Sequence, residues 1–123
     1  MEKKILIVDD EPFIRLLLKQ TLEELEDRGV QILEAQDGQE ALDVALSERP
    51  DLIFLDVMMP HINGFDVCRQ VKETCSEIHV ILLTARGQSI DEDQGQQVQA
   101  DQYMTKPFDP DDVIDQAIAI LRI

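Results

Sequence analysis

Five short apolar runs recur along the chain: KILIV (4–8), QILEA (31–35), DLIFL (51–55), HVILL (79–83) and the weaker DQYMT (101–105), with a helical pattern in every interval between them. Runs of this length suit strands, and intervals long enough to hold a helix suit parallel pairing rather than hairpins. The expected fold class is α/β, a single (βα)5 domain over residues 1–123 with a five-stranded parallel sheet, covered on both faces through right-handed crossovers. A chain of 123 residues holds one such core and leaves no room for a second. The first helix is expected from Pro12, which suits the first helical position, to just before Gly29. The second follows the Asp37-Gly38 turn and stops before Pro50, and the third opens after Gly64. A fourth is expected over about 88–99 and a fifth, after Pro110, over about 111–122.

Charge narrows the partners. The chain carries 26 acidic against 11 basic residues, a formal net charge of -15, and such a field repels nucleic acid and anionic membrane surfaces. The apolar runs are strand-sized, and the start MEKKILIVDD turns acidic too soon for a signal peptide, so the expected location is cytoplasmic. Cys68 and Cys75 are seven residues apart in one expected helix, about 10 Å along its axis. That is too far for a disulfide and reads as free thiols in a reducing compartment. His61 and His79 have no partners at metal-ligand spacing.

In an open parallel sheet, reactive groups gather at the carboxyl ends of the strands near a topological switch point. This sequence puts its polar residues there. The first run ends in VDDE with Asp9 and Asp10, the third in Asp56, the fourth in Thr84, and the fifth leads to Lys106. One of the acidic pair is expected to cap the first helix in part. Three carboxylates at one edge repel each other, which favours a hard divalent cation bound through oxygen, Mg²⁺ fitting best. One carboxylate oxygen then remains as a nucleophile, with Lys106 and Thr84 available for the oxygens of a phosphoryl group. As a bare helix cap Asp56 is badly placed, because Pro60 and Gly64 stand between it and the next helix.

The acidic pair together with DVMMPHINGFD (56–66), LLTARG (82–87) and ADQYMTKPFDP (100–110) resembles a response-regulator receiver domain, the phosphoacceptor half of a two-component relay, over essentially the whole chain. The resemblance implies a flavodoxin-like doubly wound sheet of order 2-1-3-4-5. It implies that Asp56 takes phosphate from a histidine kinase or a histidine phosphotransfer protein. The Mg²⁺ shell would be Asp9, Asp10, Asp56 and the backbone carbonyl of Met58. Lys106 would contact the phosphoryl group, followed by Pro107, whose peptide bond is usually cis in the family. Thr84 and Tyr103 would form the switch pair, acting on a face made by the fourth helix, the fifth strand and the fifth helix, which controls an output partner. That face, from Asp91 to Asp115, has Lys106 as its only base, so basic and apolar groups are expected on the partner. Met58 and Arg86 occupy the family's lifetime-tuning positions and should crowd an attacking water. Gln99 departs from a frequent glycine at the end of the fourth helix.

Rival readings are an aspartyl-phosphate phosphohydrolase, which needs a D-x-D motif where this chain has DDEP, and a phosphate-independent pseudo-receiver adaptor, against which stands the full set of required side chains. Beyond self-phosphorylation from phosphodonors and autodephosphorylation, no enzymatic activity is expected. The chain stops with the fifth helix, as either a stand-alone receiver or one cut from a longer protein would. On the first helix, PFIRLLLKQTLEEL, a spacing of 100° per residue puts Ile14, Leu17, Leu18, Thr21, Leu22 and Leu25 on one stripe facing the sheet. Phe13 and Leu16 fall outside it, and lone exposed apolar residues are ordinary. In the family the histidine-bearing partner docks against this helix, which makes these two the expected docking residues.

Overall fold

A computed structural model of the chain describes residues 3–59, 62–85, 100–106 and 108–123. Its strands are β1 (Lys3–Val8), β2 (Val30–Ala35), β3 (Leu52–Asp56), β4 (His79–Ala85) and β5 (Gln102–Lys106). They pair in parallel in the order β2-β1-β3-β4-β5. The order reverses between β1 and β3, and the crevice at the carboxyl ends of those two strands is where such a sheet accepts ligands. The helices are α1 (Pro12–Leu22), continued by a 3-10 segment (Glu23–Arg28), then α2 (Gly38–Glu48), α3 (Gly64–Thr74) and α4 (Pro110–Leu121), the fifth of the expected pattern. The pattern at 88–99, with Pro60, His61, Arg86, Gln99 and Pro107, lies outside the described residues. Among the described residues no helix is long and apolar enough to cross a membrane.

Local chemistry sets the helix boundaries. Asp37 Oδ1 accepts from the amide of Glu40 at 2.8 Å to start α2, Asn63 Oδ1 from Asp66 at 3.0 Å to start α3, and Asp109 Oδ1 from Asp111 at 2.9 Å to start α4. The chain enters α1 differently, because its N-cap is Glu11 and makes no side-chain cap. Asp9 Oδ1 instead accepts from the amide of Glu11 itself at 2.9 Å. The capping expected of the acidic pair is thus replaced by a tight turn that holds the Asp9 carboxylate at the sheet edge. Gly29, at φ 84, ends the 3-10 segment in the left-handed region.

The sheet is apolar on both faces because both are covered. Alternate residues of each central strand serve opposite cores. Leu6, Val8, Ile53, Leu55, Val80 and Leu82 pack beneath α2 and α3, and Ile5, Ile7, Leu52, Phe54, Ile81 and Leu83 beneath α1 and α4. On α1 the expected stripe does its work, with Leu18, Leu22 and Leu25 buried and Ile14, Leu17 and Thr21 half-buried. Cys68 and Cys75 are both buried and form no disulfide, and burial pushes the Cys68 thiol up to about 12, which leaves it unreactive.

Among the described residues, one buried charged group lies away from the carboxyl edge of the sheet. Lys72 of α3 is 8% exposed, and its ammonium meets Asp101 Oδ2 at 2.6 Å while donating to the carbonyls of Ile78 at 2.6 Å and Ser76 at 3.3 Å. Asp101 Oδ2 also accepts from the amide of Val80 at 2.8 Å. The pair ties α3 to the beginning of β5, the strand that ends in Lys106. Truncation would strand a carboxylate and two carbonyls at once, so Lys72→Ala is expected to cost about 3 kcal/mol in urea unfolding. A loss below about 1 kcal/mol would show the lysine to be replaceable by water.

Candidate functional site

Strand register decides which side chains meet. Val8 lies opposite Leu55, Asp56 opposite Leu83, and Ala85 opposite Lys106. Asp9, one residue beyond β1, therefore reaches the same edge as Asp56 at the end of β3, Thr84 near the end of β4 and Lys106 at the end of β5. Asp9, Asp56 and Thr84 are buried, and Asp10 is exposed.

Lys106 joins the buried acids. Its ammonium lies 3.2 Å from Asp9 Oδ2 and 3.3 Å from Asp56 Oδ1. Asp56 Oδ1 also accepts from the amide of Met58 at 3.3 Å. No described residue donates to Asp56 Oδ2, so the two oxygens of this carboxylate have different surroundings. Behind Asp9, the guanidinium of Arg15 donates to its backbone carbonyl at 2.6 Å and lies 3.9 Å from Glu34.

Burial, then the Asp9 charge, raise the Asp56 carboxyl from 3.8 to about 6 against the pull of Lys106. Burial also raises Asp9, opposed by the Glu11 amide and Lys106. Burial by itself would lower the Lys106 ammonium, but Asp56 and Asp9 together outweigh it and leave it raised.

The donor set can be tested against a cation. One carboxylate oxygen from each of Asp9, Asp10 and Asp56 lies within 4.8 Å of the others. These are hard oxygen donors, and when ionised the three carboxylates exceed the single ammonium by two charges. A small divalent ion that binds through carboxylates and keeps some of its waters fits that set.

The other expected site residues are placed as follows. Met58 is 64% exposed, and Tyr103 on β5 is 42% exposed and so lies outside the core. Phe13 and Leu16 on α1 are 70% and 51% exposed. Arg86 is among the residues not described. Sequence reasoning missed Arg15: a cation in the first turn after the acidic pair was visible, but its contact is with a backbone carbonyl, which no residue pattern marks.

The Asp56 shift has a consequence for stability. In metal-free protein the folded state keeps this proton up to about pH 6, whereas the unfolded chain releases it near 3.8. Between those values the folded state binds more protons, so stability falls as pH rises through that window. Urea titrations in EDTA should show a loss on the order of 2 kcal/mol between pH 4 and pH 7. Asp56→Asn should flatten most of it, leaving a remnant of the same sign from Asp9. A wild-type profile that rises with pH would contradict the buried-carboxylate geometry.

Comparison with known proteins agrees with this arrangement. The family model described as response regulator receiver domain matches residues 5–118. The alkaline phosphatase synthesis transcriptional regulatory protein PhoP of Bacillus subtilis is 45% identical over 122 residues, covering 99% of this chain and 50% of that protein. The chain spans about half the length of the curated relatives it matches. Among solved structures, the BeF3-activated receiver domain of DrrB superposes with a TM-score of 0.85 at 34% identity over 100% of both chains. The chemotaxis protein CheY4 of Vibrio cholerae gives 0.83 at 31% identity, covering 98% of this chain and 99% of that one.

Proposed function

This chain belongs to the response regulator receiver family of two-component signalling, and on that premise we propose that Asp56 is its phosphoacceptor. The observation that carries the proposal is the asymmetry of the Asp56 carboxylate. Oδ1 is engaged by Lys106 and by the Met58 amide, while no described residue donates to Oδ2. An Asp56 oxygen attacks phosphorus, the bond from phosphorus to a histidine nitrogen breaks, and its electron pair leaves with the imidazole of a histidine kinase or phosphotransfer protein. The same attack on a small phosphodonor gives self-phosphorylation, and water later returns the carboxylate.

Asp9, Asp10, Asp56 and the Met58 carbonyl would hold Mg²⁺. Bound there, the ion offsets charge on the phosphoryl oxygens. Lys106, already between Asp9 and Asp56, turns to a phosphoryl oxygen, and the Thr84 hydroxyl donates to another. Those contacts exist only in the phosphorylated protein, so they bias its conformational equilibrium. Tyr103, exposed on β5, is the ring that follows the Thr84 movement and alters the face shared by β5 and α4. The exposed Met58 side chain, with Arg86, would limit the approach of water to the acyl phosphate.

Residues 1–123 are taken as one receiver domain, and the cytoplasm as its compartment, supported by two buried cysteines that form no disulfide. PhoP of Bacillus subtilis is described as a transcriptional regulatory protein, and control of transcription through a further domain or partner is the output we assign. No observation favours a phosphate-independent adaptor, and the meeting of Asp9, Asp56 and Lys106 at one sheet edge supports the phosphoacceptor reading.

Incubation with acetyl phosphate and Mg²⁺, followed by intact mass, tests the assignment. Wild type should gain one phosphoryl group and Asp56→Asn none, because an amide is a poor nucleophile. Labelling of the variant at the wild-type rate would move the acceptor elsewhere.

Docking gives a second prediction. Phe13 and Leu16 lie on α1, which begins three residues after Asp9, and the buried stripe of that helix does not need them. Phe13→Ala with Leu16→Ala should slow transfer from the cognate kinase roughly tenfold or more, as loss of two interface anchors does. Melting temperature and uptake from acetyl phosphate should stay near wild type. An unaltered transfer rate would place the docking surface elsewhere.

A further inference from the structure

We propose that Gly38, at the start of α2, is a positioning residue for the loop that follows Asp56. This inference rests on the reading of Asp56 as phosphoacceptor and assigns a role to a residue on a different element. The loop leaves β3 at Asp56 and returns at Gly64, the first residue of α3. Its two ends are joined beside the acid: the Gly64 amide donates to the Val57 carbonyl at 2.9 Å. A Cβ on Gly64 would lie against the Asp56 carbonyl oxygen and 2.8 Å from Val57 Cα. Within the loop, Ile62 rests on Gly38. A Cβ there would lie 2.8 Å from both the Cβ and the carbonyl oxygen of Ile62, and 3.1 Å from Val67 Cγ2.

The two nearest contacts, at Ile62, are with a backbone atom and a branch-point atom, which cannot swing aside as a side-chain tip can. Gly38 is not there for its dihedral freedom, since the positive-φ residues are elsewhere. In a helix, alanine is the better former. The missing Cβ is explained by the closeness of Ile62. α2 thereby acts as a stop that sets how far the loop sits from the sheet edge. Between its two glycine seats the loop carries Met58, whose amide orients Asp56 Oδ1 and whose carbonyl is a proposed Mg²⁺ donor.

Gly38→Ala should therefore displace the loop and leave the remaining fold in place. In the metal-free protein the amide resonances of Met58, Met59 and Ile62 should move, while those of β1 and α4 stay. The Mg²⁺ dissociation constant, measured calorimetrically, should rise roughly tenfold, the lower end of what loss of an outer-shell support costs a metal site. Uptake from acetyl phosphate should slow at limiting Mg²⁺ and recover at saturating Mg²⁺. Adding Ile62→Gly removes the opposing Cβ and should restore the Mg²⁺ affinity in part.

Unmoved Met58 and Ile62 resonances with wild-type Mg²⁺ affinity would overturn the proposal, as would a fall in affinity that Ile62→Gly leaves unchanged. If Gly38→Ala does not fold, the double variant decides: folding regained supports the contact, and folding still lost overturns it. Failure of wild type itself to take up a phosphoryl group would sink the phosphoacceptor reading instead, and the resonance shifts in metal-free protein would still test the loop contact.

Discussion

Two carboxylates stay buried side by side at the edge of this sheet because the Lys106 ammonium lies within 3.3 Å of both. Removing such charges from water costs several kcal/mol per ion, and a single cation shared between two acids returns only part of it. The raised Asp56 and Asp9 carboxyls record the shortfall. A pocket that is under-compensated in this way is receptive to added positive charge, and a divalent ion supplies it. It is also a place where Lys106 can change partners. Once a phosphoryl group adds its oxygens, the lysine has a stronger acceptor nearby than either carboxylate.

The strand that carries this lysine is held at its other end by a lysine from elsewhere. Lys72 binds Asp101 just before β5, and Lys106 closes β5 at the acidic edge. Both are ion pairs inside or beside the core, but they differ in satisfaction. Lys72 is surrounded by a carboxylate and two backbone carbonyls, which fixes it, whereas Lys106 bridges two acids that are themselves short of positive charge. On the proposed reading, phosphorylation at Asp56 would act on the Lys106 end of β5, while the other end is paired through Asp101 with Lys72. Tyr103 lies between the two, exposed and one residue beyond Gln102, whose amide donates to Gln116 of α4 at 3.0 Å.

The fold was legible because its strands announce themselves by apolar runs and its helices by Pro12, Asp37-Gly38, Gly64 and Pro110. The acidic edge was legible because each member ends a strand, so strand prediction and site prediction were one inference. Strand order was not, since periodicity carries no neighbour information, and it came from the family resemblance. Three features escaped for one reason. Arg15 bonds a carbonyl, Gly38 matters through an atom it lacks, and Asp9 holds a backbone amide in place of a helix cap, so each depends on backbone positions that a residue pattern does not encode. Lys72 is different. It follows Val71 on the stripe of Val67, Cys68 and Cys75, and a lysine at that spacing in a buried face is a visible demand for a partner.

The two oxygens of Asp56 separate chemistry from tuning. Oδ1 is oriented by a backbone amide and by Lys106, so its placement depends on the path of the loop and not on the side chain at Met58. That side chain is 64% exposed. On the proposed reading, exchanging it would alter what crowds the phosphoryl group and how readily water arrives, while the amide that orients Oδ1 would stay in place. On that reading, the rate of loss would vary with one exposed residue without disturbing the capacity to accept phosphate. A side chain at Gly38 would do the reverse: it would touch neither phosphate nor water, and would act only through the loop that both depend on.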